Sequence, residues 1–526
     1  MAGPADPNYL VRNSATVAVF QGLGVASGIA LDAVIVGRLG LSVATDAFFA
    51  AFAVPFIITS VLELQTTTVL VPVLIRLRHE EGAEACHRLV SSLITLAALL
   101  LGGVAALGAL AARSLIDLQA PGLRPAGLDL AISLAGILFW LTPLAAGAAV
   151  LRAALNSVHR FAAASSSKLI GNMAALVVVL AAYGRLGIHA LAYGFLIGAG
   201  AQLLVLLLAM SREGYLYFPA MRVRERQVGE VGRLLLYNLL GQTLSESRQL
   251  VENFVASFFP PGSLSALRYA SRIVNSISGV LVGGIVTAML PLISLSTALR
   301  DTAQLKRVLA QGVRLLALVA LPISVWLTVA SRPFVAVMFE RGSFSAADTA
   351  LTSSLIVWLL PVIFLSRLIA LAQTPFYARQ EMLTPLWNTA LGVAAYVGLV
   401  LLLRGPMGIY GLPLANSLAL ALAVASAVWL LRRSIGGLGA GGLANFFVRL
   451  SAALATMFAS MAAAGPLWRL AAGPAGRPFF ELAALSASGA MGFGAAAWLL
   501  GILDFGRLSA LLRRPSAALT EGPASS

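Results

Sequence analysis

Fourteen apolar stretches, each long enough to cross a bilayer, leave this chain little choice of fold. A hydrocarbon core of roughly 30 Å takes about 20 helical residues. Such stretches lie near 12–37, 45–75, 89–112, 128–154, 160–183, 187–210, 232–257, 266–295, 309–330, 347–374, 384–403, 408–431, 446–465 and 480–503. In lipid every backbone polar group must be bonded within the chain, so each run is expected as a helix. Turn-forming residues separate them, as at Ala120-Pro121-Gly122, Phe259-Pro260-Pro261-Gly262, Arg404-Gly405-Pro406 and Gly473-Pro474. Of the 526 residues 59% are apolar and 11% charged, under half the charged share of an ordinary soluble protein. That composition excludes a disordered or fibrous chain and argues against a water-soluble globule. No small-residue cleavage site follows the first stretch, which therefore reads as a span rather than a removable signal.

The charges orient the spans. Fourteen crossings put both termini on one side of the membrane. With that side cytoplasmic, its segments together with the span ends that adjoin them (Arg12, Arg160, Arg233, Arg314 and Arg449) hold 21 of the 36 Lys and Arg residues, among them Arg76, Arg78 and Arg88, then Arg222, Arg224 and Arg226, then Arg300, Lys306 and Arg307, and finally Arg513 and Arg514. The better than twofold excess over the opposite side follows the positive-inside rule. Basic loops against anionic lipid also account for the net charge of +15 without nucleic acid.

The chain repeats itself. Gly184-Arg185-Leu186-Gly187-Ile188-His189-Ala190-Leu191 resembles Gly405-Pro406-Met407-Gly408-Ile409-Tyr410-Gly411-Leu412, 221 residues on. Val71-Pro72-Val73-Leu74 matches Leu290-Pro291-Leu292-Ile293 at an offset of 219. Six spans separate equivalent points, so the copies share one orientation, as in parallel repeats about an axis along the membrane normal. The expected architecture is all-α: an N-terminal lobe over 1–226, a C-terminal lobe over 227–434 and an appended helix pair over 435–514, with a disordered tail at 515–526.

Charges inside spans carry the functional signal, because an Arg, Lys or Asp at mid-bilayer costs about 2.5–3.5 kcal/mol on insertion scales. In the seventh span Arg248 and Glu252 are four apart, close enough to pair on one face, while Glu246 lies about 120° around the helix from Glu252. Arg268 and Arg272 open the eighth span, Arg367 lies in the tenth, and Lys168 and Asn172 lie in the fifth. The first lobe contributes Asp32, Asp46 and Glu63. One reading is a hydrated cavity between lobes, lined by cations that hold an anionic headgroup. The other is a set of internal ion pairs and side chains snorkelling to the interface. Arg268, Asp46 and Arg38, near span ends, fit the second; Arg272, Arg248, Glu252 and Glu63, deeper in, fit the first.

No motif for chemistry stands out. There is no P-loop, no HExxH and no Ser-His-Asp pattern. The single Cys86 excludes an intramolecular disulfide framework, and the four histidines have no metal-ligand spacing. A transporter without a metal site or bound cofactor is expected, not an enzyme.

Thr45-Asp46-Ala47-Phe48-Phe49, with Pro55, Glu63 and Val71-Pro72-Val73-Leu74, resembles the second-span signature of the MurJ/MviN lipid II flippases, members of the multidrug/oligosaccharidyl-lipid/polysaccharide exporter superfamily. Further pieces agree in order: Ala154-Leu155-Asn156 with Arg160-Phe161, Tyr269-Ala270-Ser271-Arg272, Leu290-Pro291, Phe339-Glu340-Arg341-Gly342-Ser343-Phe344, and Phe376-Tyr377-Ala378-Arg379-Gln380 with Thr384-Pro385. The resemblance implies two six-helix lobes around a central cavity, alternating access, and outward movement of a lipid-linked glycan precursor across the bacterial cytoplasmic (inner) membrane. It matches Arg272 to a cavity arginine, Asp46 to the motif aspartate and Glu63 to the second-span glutamate. Two first-span arginines of the family are replaced here by Val25 and Leu31, and an arginine pair after Pro55 gives way to Ile57-Ile58-Thr59-Ser60. Lys168, Arg248 and Arg367 are the candidates to take their place.

The leading expectation is a flippase for a polyprenyl-diphosphate-linked sugar, either lipid II or an exopolysaccharide-type precursor, with Arg272, Arg248, Lys168 and Arg367 as substrate-binding cations. Membrane potential, a proton or a monovalent cation would drive it, with Glu63, Asp46, Asp32, Glu252 and Glu246 as coupling or gating groups. Two alternatives stay open. One is a cation-coupled exporter of amphipathic small molecules. The other is a transport-inactive homologue that scaffolds envelope-synthesis enzymes.

Overall fold

The computed structural model describes residues 7–219, 226–379, 381–437, 442–471 and 477–502. The expected C-terminal tail, 515–526, and the Arg222, Arg224, Arg513 and Arg514 positions lie outside them. The first half runs through α1 (Pro7–Leu39), α2 (Val43–Glu80), α3 (Ala83–Leu110), the short α4 (Ala112–Gln119), α5 (Pro125–Leu138), α6 (Leu141–Ser157), α7 (Phe161–Leu186) and α8 (His189–Ser211). The second holds α9 (Arg226–Glu246), α10 (Arg248–Ala256), α11 (Ser263–Ile277), α12 (Gly283–Ala298), α13 (Thr302–Phe339), α14 (Ala346–Ala378), α15 (Leu383–Met407) and α16 (Gly411–Ile435). Two further helices, α17 (Leu443–Ala471) and α18 (Arg477–Leu499), end the described chain.

Twelve segments of the described residues are long and apolar enough to cross a membrane, against fourteen expected stretches. One of the twelve, residues 383–435, contains two of those stretches, α15 and α16, joined by the turn Gly408–Tyr410. The other difference is the seventh stretch. It is helical, but its run of Gln, Ser, Glu and Arg keeps it out of the apolar set, and the helix breaks at Ser247 between α9 and α10. The fourth stretch is also split, at Phe139–Trp140, into α5 and α6.

The internal duplication is visible in the helix boundaries. The start of α2 at Val43 and that of α11 at Ser263 are 220 residues apart, and α3 and α13, starting at Ala83 and Thr302, are 219 apart. Three helix starts carry side-chain caps, whereas α11 and α3, the repeat counterparts of α2 and α13, begin on Gly262 and Gly82 without one. Ser42 caps α2 in a reciprocal box with Thr45, Asp301 caps α13 through the Gln304 amide, and Ser345 forms a box with Asp348 on α14. Each cap satisfies amides that a helix start leaves unpaired.

Side chains of Leu70, Leu74, Leu89, Leu151, Leu155 and Leu206 build one core of the first half, and Leu31, Phe48, Leu134, Leu138 and Leu191 another. The second half has one large core around Leu264, Tyr269, Leu316, Ile356, Ile363, Tyr396 and Leu412. Helix α9 belongs partly to both halves. Val228 and Val231 enter the first-half core, while the helix also packs on α15. The final pair packs on α13, with Met457, Met461 and Leu485 against Ala330, and the Trp326 indole donates to Ser486 Oγ at 3.1 Å.

Candidate functional site

The two halves are pinned together at the end of the molecule where α1 turns into α2. Asp46, in the first turn of α2, accepts hydrogen bonds from the Gly262 amide at 2.6 Å, the Ser265 amide at 2.8 Å and the Ser265 hydroxyl at 2.7 Å. A carboxylate thus caps the first turn of α11 from the other half, where unpaired amides and the helix dipole favour negative charge. Thr45 and Ser265, 220 residues apart, touch hydroxyl to hydroxyl at 3.2 Å. The starts of α2 and α11, at matching positions 220 residues apart, therefore meet each other. Beside them the Ser343 amide donates to the Gly37 carbonyl at 2.8 Å, the Ser343 hydroxyl to the Arg38 carbonyl at 3.1 Å, and the Gly122 amide to Ser257 Oγ at 3.0 Å. Approach is close enough that a Cβ on Gly342 would run into the Gly37 carbonyl. Gly342 also has φ +59°, where an L side chain is strained.

Below this seal a polar ladder descends α1. Asp32, five residues before Gly37, receives Arg272 from α11 with Nε to Oδ2 at 2.7 Å. The carboxylate side chain is 6% exposed and the guanidinium 42%, so the pair crosses between halves with its positive end in the open. One turn further in, Asn172 of α7 donates to Ser27 Oγ at 2.9 Å and to the Gly24 carbonyl at 3.1 Å. Lys168, one turn earlier on α7, lies against Gly24 and is 62% exposed. Its ammonium is 3.8 Å from Glu63, whose other oxygen is 3.4 Å from Arg152 Nη1. Gly28 faces the Arg272 guanidinium and Gly24 faces Lys168. These glycines are one helical turn apart, about 6 Å along α1, and both are buried, Gly24 against the Lys168 Cβ and Gly28 against Asn172 and the Arg272 guanidinium.

The second-half charges turn inward. Arg268, one turn before Arg272, pairs with Glu252 at 3.2 Å, both side chains being about nine-tenths buried. This corrects the expected Arg248–Glu252 pair. The neighbouring helix offers Glu252 a better buried partner, and Arg248 lies instead over the Tyr396 ring, 5.9 Å from its centroid. Arg367 donates to Ser278 Oγ at 3.0 Å, in the π-turn Ser278–Val282 between α11 and α12. Glu246 accepts from Gln242 at 3.1 Å. Of the four expected substrate cations, Arg272 crosses between the halves to Asp32 and Lys168 pairs with Glu63 within the first half, whereas Arg248 and Arg367 have their partners within the second half. Arg152 was not singled out from the sequence; the signal was a lone arginine inside the fourth apolar stretch. Val25 is half-buried, and Leu31 is packed in the first-half core.

At the opposite end Arg76 holds Glu230 with both carboxylate oxygens at 2.8 Å, and Gln227 donates to Glu81 at 2.9 Å. These contacts tie the start of α9 to the end of α2, beside a polar pocket lined also by Glu80 and Arg233. Among the described residues no group of three or more His, Cys, Asp or Glu could hold a metal ion.

Two repeats of membrane-length helices, pinned to each other at one end and carrying charges inside the spans, are the architecture of a polytopic membrane transporter. A profile described as Lipid II flippase MurJ matches residues 35–471, and the chain belongs to that family. It is a multi-pass membrane transporter and not an enzyme. It is 25% identical to the "Probable lipid II flippase MurJ" of Vibrio cholerae over 94% of this chain and 96% of that one. With the "Lipid II flippase MurJ" of Burkholderia cenocepacia the identity is 26%, over 73% and 76%. Among solved structures, "Lipid II flippase MurJ, inward closed conformation" superposes with a TM-score of 0.74 at 20% identity, covering 96% of this chain and all of that one. An inward-facing multidrug resistance MATE transporter of the MOP superfamily gives 0.67 at 14% identity, covering 80% and 94%. The last two likenesses establish the fold.

Proposed function

We propose that this chain flips a polyprenyl-diphosphate-linked sugar, lipid II in the first instance, across the bacterial inner membrane, with both termini in the cytoplasm. The observation that carries the reading is a pair of part-exposed cations that both pack on α1, Lys168 through its Cβ at Gly24 and Arg272 through its guanidinium at Gly28. A diphosphate takes charge-assisted hydrogen bonds from groups of this kind. Lys168 here does from α7 what the apolar Val25 and Leu31 of α1 cannot. The sugar occupies the wet cleft and the isoprenoid tail stays in lipid. Membrane potential, or a proton or monovalent-cation gradient, supplies the driving force. Contacts with envelope-synthesis enzymes would deliver or receive the precursor.

The exporter reading needs a free acidic group for a cation. Asp32 is taken by Arg272, Glu63 by Arg152 and Lys168, and Asp46 by three donors of α11, which favours the flippase. The test is binding of purified protein to lipid II in detergent. The expected result is that Lys168→Ala and Arg272→Ala each weaken it at least about tenfold, the loss of one charge-assisted contact. Equal affinity in all three proteins would overturn the reading.

A further inference from the structure

Arg268 stands where a small cation would stand. Its guanidinium is held by three oxygens of different kinds: the Glu252 carboxylate at 3.2 Å from Nη1, the Gln249 backbone carbonyl at 2.9 Å from Nη2, and Asn253 Oδ1, also on Nη2. All three oxygens come from α10, on successive turns of one face, and Arg268 reaches them from α11. Asn253 is fully buried and Glu252 is 8% exposed. One carboxylate, one amide oxygen and one carbonyl, dry and converging, make a hard-oxygen donor set suited to an ion of single positive charge. A guanidinium carries that same charge, fixed to the chain. Its third nitrogen, Nε, finds no acceptor, and neither does the hydroxyl of Tyr396, whose ring the neighbouring Arg248 covers. The fit of Arg268 is thus through the two nitrogens that face the oxygens, as a tethered counter-ion rather than as a fully bonded guanidinium.

We propose that Arg268 is the built-in cation of the second lobe, filling a site that would otherwise take an alkali-metal ion, and that free sodium or potassium does not bind there in the native chain. The inference concerns a cluster inside the second half, and its test needs no substrate, so it stands or falls apart from the flippase reading. A carboxylate buried without its partner is strongly unfavourable, and an ion that binds only the folded state raises stability by mass action.

The experiment is thermal unfolding of purified full-length protein at one ionic strength in choline, sodium or potassium chloride. Native protein is expected to melt at the same temperature in all three salts. Arg268→Ala is expected to melt lower in choline chloride and to regain stability saturably as sodium or potassium replaces it. Arg268→Lys, which keeps a tethered charge, is expected to be insensitive, as is the double variant Glu252→Gln/Arg268→Ala, which lacks the carboxylate. Saturable stabilisation of the native chain by sodium or potassium, reduced in Glu252→Gln/Arg268→Ala, would overturn the proposal, because the site would then take an ion with Arg268 in place. So would a folded Arg268→Ala indifferent to all three salts. Should Arg268→Ala not fold, the native and Arg268→Lys proteins still decide: insensitivity in both supports the tethered cation, and saturable sodium dependence in either refutes it.

Discussion

Replacing Asp46 by alanine should open the seal between the repeats. The carboxylate accepts three hydrogen bonds from Gly262 and Ser265, all across the junction. When the seal opens, carboxylate and donors regain water, so each bond counts at its net value of about 1 kcal/mol rather than its gross strength. Three such bonds sum to about 3 kcal/mol, and at 1.4 kcal/mol per decade the closed-to-open ratio should fall more than about a hundredfold. The helix dipole of α11 adds to the loss in the same direction. Spin labels at Leu118→Cys on α4 and Phe258→Cys after α10 place one reporter on each half at this end; both native side chains are exposed. The single native thiol, Cys86, is buried and is removed by Cys86→Ser. Pulsed dipolar spectroscopy should show the short-distance population of the parent protein giving way to a longer one in Asp46→Ala. An unchanged distance distribution would refute the assignment of Asp46 to the seal.

Gly342→Ala should act on the same equilibrium by sterics. Its Cβ meets the Gly37 carbonyl and its φ of +59° is strained for alanine, so the same label pair should report more open protein with little change in overall fold by circular dichroism. Gly198→Val should instead lower stability without shifting that equilibrium. Gly198 packs against the Gly171 carbonyl between α7 and α8, wholly within the first half, and overpacking of that kind costs about 1–3 kcal/mol, read as a lower unfolding temperature in detergent.

The helices and their duplication were legible because lipid imposes a length and a polarity on each crossing, and those leave a mark on the sequence. What lay outside that mark was local. The break at Ser247, the split at Phe139–Trp140 and the π-turn at Ser278–Val282 arise inside stretches whose apolar pattern runs on, or is already polar, and nothing in the spacing locates them. Charge pairing was legible only within one helix. Four-residue spacing suggested Arg248 with Glu252, but Arg268 on the next helix won the carboxylate, since a buried acid pairs with whichever cation the packing delivers. Asp46 shows the same limit more sharply: its partners lie 216 and 219 residues away, and only the fold brings one helix start to another. Arg272 and Lys168 were recognisable as costly intramembrane charges, but their packing on α1 at Gly28 and Gly24 appears only once α7 and α11 are in place.

The most direct test is transbilayer movement of fluorescent lipid II in vesicles containing the purified chain, followed by the rate at which a membrane-impermeant reductant gains access to label from the inner leaflet. The account predicts accelerated movement with the native chain and a return toward the protein-free rate in Lys168→Ala/Arg272→Ala. Movement no faster than in protein-free vesicles, or equally fast with both cations removed, would contradict it.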